Sequence, residues 1–279
     1  MRNRNFAMGV AGGVAIAMAA ARFARGWHRI SFDERVVVIT GGSRGLGLVL
    51  SRLFVDEGAH VVLLARDLDE LARAAAELDS RGRGSVTTLR CDVRRRADVR
   101  AAVDAILDRH RTIDVLLNNA GVIHVGPFEH MSEEDFENAM ATHFWGPLHL
   151  MLEVLPTMIH RRFGRIVNIS SIGGRIAVPH LGPYCASKFA LAGLSDSARA
   201  ELDRYGIRVT TVTPGLMRTG SPMNAKFKGQ HSAEYAWFKM SSSIPGLTIA
   251  AERAARRIVE ACRHGDPSLT ITAHAKLAA

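Results

Sequence analysis

From Arg35 onward, short apolar strands alternate regularly with helical stretches. The strands are rich in β-branched residues and end at glycines or polar turns. The predicted strands cover residues 36–40, 60–65, 86–90, 113–118, 165–170, 208–213 and 268–272. The predicted helices cover residues 46–57, 68–80, 97–110, 132–159, 184–204 and 250–263. In the long fourth helix, Pro147 and Pro156 predict irregularities, because proline lacks the N–H that continues a helix.

This alternation predicts an α/β fold: a single doubly wound parallel sheet of Rossmann type, with helices on both faces. The strands are nearly continuous apolar runs, as expected where both faces of a sheet are covered. One catalytic domain, residues 31–279, is predicted to follow an N-terminal apolar segment, residues 1–30. Ligands of such sheets bind beyond the carboxyl ends of the strands, so functional residues are expected there.

The composition narrows the function without deciding it. The chain has 279 residues and a net charge of +9, which comes almost wholly from scattered arginines. The densest basic group, residues 90–100, has no interleaved aromatic residues, which argues against a nucleic-acid surface and is compatible with a polyanionic cofactor. The cysteines show neither metal-ligand spacing nor a paired framework, so no metal site is predicted and a reducing compartment is the simpler interpretation.

The first strand ends in a glycine-rich loop, residues 40–47, that opens the first helix. Glycines let the backbone approach a pyrophosphate, and a helix N-terminus offers it free N–H groups. The second strand ends at Arg66, without the acidic residue that commonly binds the ribose 2′-hydroxyl of NAD. Arg44 and Arg66 can instead bracket a 2′-phosphate, which favours NADP(H). The cofactor contacts predicted here are Gly41, Ser43, Arg44, Gly45, Leu46, Gly47 and Arg66. The alternatives are a plain glycine-rich turn, and an Arg66 that pairs with Asp67 or Asp69 in solvent.

Tyr184 and Lys188 lie four residues apart at the start of a predicted helix, so they share one face, one turn apart. Ser171 follows the fifth strand and precedes two glycines. Reduction of a ketone requires a proton for the oxygen as hydride reaches the carbon, and a nearby ammonium favours the phenolate form of tyrosine. Ser171 would hydrogen-bond the substrate oxygen. The alternative interpretation is a surface Tyr–Lys pair without a catalytic role.

Together these motifs resemble the short-chain dehydrogenase/reductase family over residues 35–272. The matching pieces are a TGxxxGxG loop at Thr40, an NNAG motif at Asn118, a serine thirteen residues before a YxxxK motif, and a PG motif at Pro214. The resemblance implies that Ser171, Tyr184 and Lys188 are catalytic, and that Tyr184 and Lys188 also contact the cofactor. The further cofactor contacts that it implies are Asp92 and Val93 near the adenine, Asn119, Ala120 and Gly121 beside the adenosine, and Pro214, Gly215 and Thr219 near the nicotinamide.

His143 departs from the family pattern, in which an asparagine usually occupies this place in the long helix. The family residue helps to hold a water molecule that links the lysine to solvent. His143 can do the same through its backbone carbonyl or its ring, and is therefore included among the catalytic candidates. The alternatives are a perturbed proton relay, or a histidine that only packs inside the helix bundle.

The resemblance places the substrate lid near residues 220–247, a segment with several apolar side chains. These favour a hydrophobic carbonyl or alcohol substrate, although core or interface packing explains them equally well. His124, Trp145, His180 and Met217 are candidate pocket borders. A homodimer or homotetramer is expected. The rival function is a catalytically weak NADP-binding scaffold or redox sensor, which the departure at His143 favours and the retained Ser-Tyr-Lys set disfavours.

Residues 6–21 form an uncharged stretch built mainly from alanine and glycine, with arginines on both sides. A cleaved signal peptide, a soluble helix, and a marginal membrane anchor or interfacial helix are the three interpretations. Export would remove an enzyme from its nicotinamide supply, and the stretch is shorter than the roughly 20 residues of a membrane span. An anchor or interfacial helix is favoured, with the catalytic body on the cytoplasmic side.

Overall fold

Seven parallel strands form the central sheet of the computed structural model, which describes residues 25–218, 225–229 and 248–271. In chain order the strands are β1 (Val36–Thr40), β2 (His60–Ala65), β3 (Ser85–Arg90), β4 (Val115–Asn118), β5 (His124–Val125), β6 (Gly164–Ile169), β7 (Ile207–Thr213), β8 (Leu216–Arg218), β9 (Lys226–Phe227), β10 (Thr248–Ala250) and β11 (Ser268–Thr270). The central sheet has the order β3–β2–β1–β4–β6–β7–β11, which confirms the predicted doubly wound parallel sheet.

Helices cover both faces of this sheet. They are α1 (Gly45–Asp56), α2 (Leu68–Asp79), α3 (Arg96–His110), α4 (Glu133–Met140), α5 (Gly146–Arg161), α6 (Gly182–Leu202) and α7 (Ala251–His264). One apolar core lies between the sheet and α1, α2 and α7, and a second lies between the sheet and α3, α5 and α6. Val37 and Ile39 point into the first core, whereas Val36 and Val38 point into the second, so β1 is buried on both faces.

The long helix predicted over 132–159 is broken in the middle. Its place is taken by α4, a π-helical turn over Ala141–Trp145, and α5. Pro147 lies in the first turn of α5 and has no N–H to donate to the carbonyl of His143, so the regular hydrogen-bond ladder cannot continue there. Pro156 lies inside α5 without ending the helix. The predicted irregularity is therefore real at Pro147, and its consequence is a widened turn that contains His143.

Two short strand pairs at the carboxyl edge of the sheet were not predicted. β5 pairs with β9, and β8 pairs with β10. Strands of two or three residues carry too few positions to show a periodic pattern, so the sequence gives no signal for them. They bring residues 226–229 and 248–250 back to the edge of the sheet at which β4 and β7 end.

The segment that precedes β1 contacts the end of α7 and the loop that follows it. Arg25 forms an ion pair with Asp266 at 2.8 Å, and the N–H of Ile30 donates to the carbonyl of Arg263 at 3.0 Å. Across residues 25–218, 225–229 and 248–271, no helix has the length and apolar character needed to cross a membrane. The apolar stretch 6–21, Thr219 and most of the lid region 220–247 lie outside the described residues.

Candidate active site

The loop after β6 brings Ser171 against the first turns of α6. The N–H of Ile172 donates to the carbonyl of Pro214 at 2.8 Å, which ties this loop to the end of β7. A Cβ on Gly173 would lie 3.2 Å from the Tyr184 ring, and a Cβ on Gly174 would lie 2.6 Å from the carbonyl oxygen of Lys188. The two glycines therefore allow the loop to approach α6 closely enough for Ser171 to reach Tyr184.

Lys188 is buried on α6, with 5% of its surface exposed. Its Nζ donates to the carbonyl of Ile169 at 2.7 Å and lies 5.8 Å from the centre of the Tyr184 ring. Burial lowers the pKa of Lys188 to about 7, because the charged form loses its hydration. The amino group of Lys188 can therefore gain or lose a proton close to neutral pH.

Tyr184 is half-buried one turn before Lys188, as the four-residue spacing predicts. Burial raises the pKa of its phenol to about 12, while a side-chain hydrogen bond with Ser171 acts in the opposite direction. The Oγ of Ser171 also accepts from the N–H of Gly173 at 3.1 Å, which fixes its position at the loop. The Ser171 hydroxyl and the Tyr184 phenol are thus hydrogen-bonded, with Lys188 one turn further along α6, a geometry that suits proton transfer to a bound oxygen.

His143 lies behind Tyr184, fully buried in the π-helical turn. Its Nε2 accepts from the N–H of Val122 at 3.1 Å, so the ring proton is on Nδ1, which lies 2.7 Å from the Oγ of Ser187. The ring contacts Tyr184 edge-on, with 5.5 Å between the ring centres. Burial and the nearby Lys188 lower the pKa of His143 well below its usual value, so the ring is neutral.

Both ring nitrogens of His143 are thus engaged by protein groups. One joins the ring to the segment after β4, and the other joins it to Ser187, which lies between Tyr184 and Lys188 on α6. Of the interpretations raised by the sequence, this geometry favours the ring as a packed, positioning group. The backbone carbonyl of His143 is a second polar group in the π-helical turn. It receives no hydrogen bond from Pro147, because proline has no N–H.

The NNAG segment holds the glycine loop in shape. The side-chain amide of Asn119 donates to the carbonyls of Thr40 at 2.9 Å and Gly41 at 3.2 Å. The hydroxyl of Thr40 accepts from the N–H groups of Asn119 and Ala120, both at 2.9 Å. A Cβ on Gly47 would lie 2.1 Å from the carbonyl oxygen of Gly41, so only glycine fits where α1 passes beneath the loop.

Charged side chains surround the outer end of this loop. Arg44 forms an ion pair with Glu70 at 2.9 Å, and Ser43 donates to the same carboxyl at 3.0 Å. Arg66 is exposed at the end of β2 and faces a cavity of about 180 Å³. The other residues that line this cavity are Arg90, Asp92, Arg95 and Asp98. The region beyond the carboxyl ends of β2 and β3 is therefore rich in guanidinium groups.

Asp92 lies in this cavity and is held by Arg94. Burial alone would raise the pKa of the Asp92 carboxyl, but hydrogen bonds from the side chain and the backbone of Arg94 lower it below its usual value. Val93 is buried, and a Cβ on Gly146 would lie 3.0 Å from its side chain, so Val93 packs against the start of α5.

The remaining predicted residues divide into three groups. Ala120, Gly121, Pro214 and Gly215 lie at the carboxyl ends of β4 and β7, where the family resemblance places them. Among the candidate pocket borders, His124 is buried in β5, Met217 is half-buried in β8, and Trp145 is exposed and stacks on His149. Thr219 lies outside the described residues.

Sequence reasoning missed three residues of this region: Glu70, Arg90 and Ser187. Glu70 lies in the first turn of α2, where an acidic residue is expected for the helix alone, so its contact with Arg44 had no signal of its own. Arg90 ends β3 beside Ala65 of β2, a neighbour that the strand order reveals. Ser187 occupies one of the positions that the YxxxK motif leaves unspecified, so the motif gave no reason to select it.

A model of the family described as short chain dehydrogenase matches residues 35–230. The chain is 37% identical over 205 residues to the dehydrogenase/reductase SDR family member 7B of Danio rerio, covering 71% of this chain and 66% of that protein. It is 38% identical over 220 residues to the oxidoreductase UcpA of Salmonella typhimurium, covering 77% and 82%. It is 36% identical over 188 residues to the 3-ketodihydrosphingosine reductase of Bacteroides thetaiotaomicron, covering 67% and 66%. The first and third matches therefore span slightly less than two thirds of the relative's own length.

The solved structures that share the fold over most of both chains include two that were determined with a bound cofactor. A short-chain dehydrogenase/reductase from Burkholderia phymatum in complex with NAD superposes with a TM-score of 0.80 at 26% identity, covering 86% of this chain and 90% of that one. A metagenomic short-chain oxidoreductase in complex with NADP superposes with a TM-score of 0.71 at 28% identity, covering 87% and 97%. One of these relatives thus holds NAD and the other NADP.

Proposed function

Since the chain belongs to the short-chain dehydrogenase/reductase family of oxidoreductases, whose members bind NAD or NADP, we propose that it is an NADP(H)-dependent enzyme that interconverts a carbonyl and an alcohol. Tyr184 is the proposed acid and base, Ser171 orients the substrate oxygen, and Lys188 controls the charge beside them. The observation that carries the proposal is the hydrogen bond between Tyr184 and Ser171, with Lys188 buried one turn further along the same helix.

The residues around the glycine loop fit a dinucleotide. Gly45 has a φ of +54° and open space beside its Cα, and Gly47 has no room for a Cβ, as a tight turn at a helix N-terminus requires. Gly41, Ser43 and Leu46 complete this loop. The arginines at the carboxyl ends of β2 and β3 and Arg44 would supply the charge that a 2′-phosphate needs. Bound there, the cofactor would supply the hydride.

The chain's own residues would then move the proton. In the direction of carbonyl reduction, the phenol of Tyr184 donates its proton to the substrate oxygen while the hydroxyl of Ser171 holds that oxygen in place. A phenol with a pKa of about 12 is fully protonated near neutral pH, and is therefore in the form that donates. A protonated Lys188 beside it stabilises the phenolate that remains.

The test is NADPH oxidation over a panel of ketones and aldehydes, with Tyr184→Phe as the variant. The substitution removes the proton donor but keeps the ring that packs against His143. Turnover is expected to fall by about a thousandfold, while binding of NADPH, followed by its fluorescence, stays close to wild type. Turnover of the variant within about tenfold of wild type would contradict the role of Tyr184.

Cofactor and substrate preferences are measured with the same assay. A lower Michaelis constant for NADPH than for NADH is expected, and an equal or lower value for NADH would contradict the NADP(H) preference.

We propose a hydrophobic substrate because the lid region is rich in apolar side chains and one relative is named a 3-ketodihydrosphingosine reductase. Faster turnover of short polar ketones than of long-chain ones would overturn this.

We also propose that the protein works on the cytoplasmic side, is held at the membrane surface through residues 6–21, and assembles as a homodimer or homotetramer. Recovery of the full-length protein entirely in the soluble fraction at low salt would overturn the membrane contact. Light scattering of the purified protein measures the assembly, and a monomer at micromolar concentration would contradict the proposed oligomer.

A further inference from the structure

Glu70 occupies the part of the site in which the proposed function places the cofactor's 2′-phosphate. It lies in the first turn of α2, after β2, and reaches back to the glycine loop after β1. Its Oε1 accepts from the guanidinium of Arg44 at 2.9 Å and its Oε2 accepts from the hydroxyl of Ser43 at 3.0 Å. The two oxygens of one carboxylate therefore bind two donors that a phosphate would need.

We propose that Glu70 sets the preference of this chain between phosphorylated and unphosphorylated dinucleotides, by acting as an internal competitor of the 2′-phosphate for Arg44 and Ser43. The inference rests on the proposed cofactor site. A phosphate that enters must displace the carboxylate from Arg44 and tolerate a like charge beside it. The 2′-hydroxyl of NAD is neutral and can donate to a carboxylate that stays in place.

The ion pair between Arg44 and Glu70 can be broken and re-formed at little cost. The Arg44 side chain is 51% exposed and the Glu70 side chain 20%, and exposed ion pairs contribute little to stability. The N-terminal cap of α2 does not use the Glu70 carboxyl, because Asp67 caps the helix by accepting from the backbone N–H of Glu70. Glu70 can therefore change partners without unwinding the helix, and Glu70→Gln should keep the fold.

Binding of 2′,5′-ADP and of 5′-ADP to the full-length protein, measured by calorimetry, tests this without turnover. The two probes differ at the 2′ position, where only the first carries a phosphate. Glu70→Gln is expected to tighten binding of 2′,5′-ADP by roughly fivefold, and to leave binding of 5′-ADP unchanged or weaker. Asp69→Asn is the matched control: it removes the same charge from the neighbouring exposed residue and should change both constants by less than about twofold.

A double-mutant cycle with Arg44→Met locates the effect. If the carboxylate acts through Arg44, Glu70→Gln should bring little further gain in the Arg44→Met protein. The proposal is overturned if Glu70→Gln binds 2′,5′-ADP no more tightly than wild type, or if Asp69→Asn gives the same gain. Unaltered thermal unfolding of the variants excludes misfolding as the cause.

The outcomes separate this inference from the proposed function. If wild type favours 2′,5′-ADP and Glu70→Gln has no effect, the role of Glu70 fails while the NADP(H) preference stands. If wild type favours 5′-ADP and Glu70→Gln shifts binding toward 2′,5′-ADP, the NADP(H) preference fails and the role of Glu70 is supported.

Discussion

The catalytic end of the site, around Tyr184 and Lys188, and the nucleotide end, around Arg44 and Arg66, differ in how their polar groups are satisfied. At the catalytic end, Lys188 and His143 are buried and bound to backbone groups and to a buried hydroxyl. At the nucleotide end, Arg44 is half-exposed and bound to a carboxylate of the same chain. Buried hydrogen bonds hold one end rigidly, whereas exposed ion pairs leave the other end able to change partners.

This difference matches what each end has to do in the proposed reaction. Proton transfer requires the phenol to lie within hydrogen-bond distance of the substrate oxygen once it binds, so preorganisation of the donor is useful there. Binding of a charged cofactor is reversible, and each cycle must break the contacts that it makes. Substitutions at the catalytic end should therefore change turnover and stability, whereas substitutions at the nucleotide end should change binding alone.

After the loss expected for Tyr184→Phe, the largest effect should come from Lys188→Met, which removes the buried cation beside Tyr184. Turnover is expected to fall by about a hundredfold or more, because the phenolate loses its nearest positive charge. The binding constant for 2′,5′-ADP, which has no nicotinamide half, should stay within about twofold of wild type. An equal loss of nucleotide binding would break the separation between the two ends.

The same lysine should govern stability against pH. Burial lowers the pKa of Lys188 from 10.5 to about 7, so between these values the unfolded chain binds more protons than the folded one. The free energy of unfolding should therefore rise with pH across this window, by an amount on the order of a few kcal/mol. Urea unfolding from about pH 7 to about pH 10 measures it, and Lys188→Met should lack this part of the rise.

The control for that experiment is Lys226→Met, which removes an exposed lysine from β9. It should keep the pH dependence of wild type. A Lys188→Met protein with an unchanged pH dependence would mean that the lysine is hydrated in solution, and the contrast between a buried and an exposed end would weaken.

A smaller effect is expected from His143→Leu, which leaves the Val122 N–H without its acceptor. The loss of a buried hydrogen bond should lower the free energy of unfolding by about 1–3 kcal/mol. Turnover should fall by about tenfold, since the ring no longer supports Tyr184 and Ser187. The control is His160→Leu, which replaces an exposed histidine in the last turn of α5 and should change neither quantity.

The pH profile of turnover distinguishes a positioning role for His143 from a titrating one. Because its pKa lies well below the usual value, His143 stays neutral across the neutral range, and His143→Leu should keep the shape of the wild-type profile. Loss of a limb of the profile near neutral pH would assign the ring to the proton relay.

At each end of the site the sequence predicts the local motifs and misses the contacts between elements, for a physical reason. The glycine loop and the Tyr184–Lys188 pair are local patterns, set by turn geometry and by the helical repeat, so their placement could be read directly. The break at Pro147 had a local cause as well. The contact between Arg44 and Glu70 joins two βα units, and that between His143 and Ser187 joins two helices. Such contacts depend on how elements pack, which no single stretch of sequence records.

The smallest effect should come from Arg66→Ala, at the exposed end of β2. We expect the Michaelis constant for NADPH to rise by about fivefold and that for NADH to stay unchanged, because only the phosphorylated cofactor needs this charge. Arg90 lies at the end of the neighbouring strand and lines the same cavity as Arg66. Arg90→Ala therefore tests whether both arginines contribute to the binding of NADPH. If either substitution lowers turnover at saturating NADPH, the nucleotide end is not a binding surface alone, and the two ends of the site are coupled more tightly than their contacts indicate.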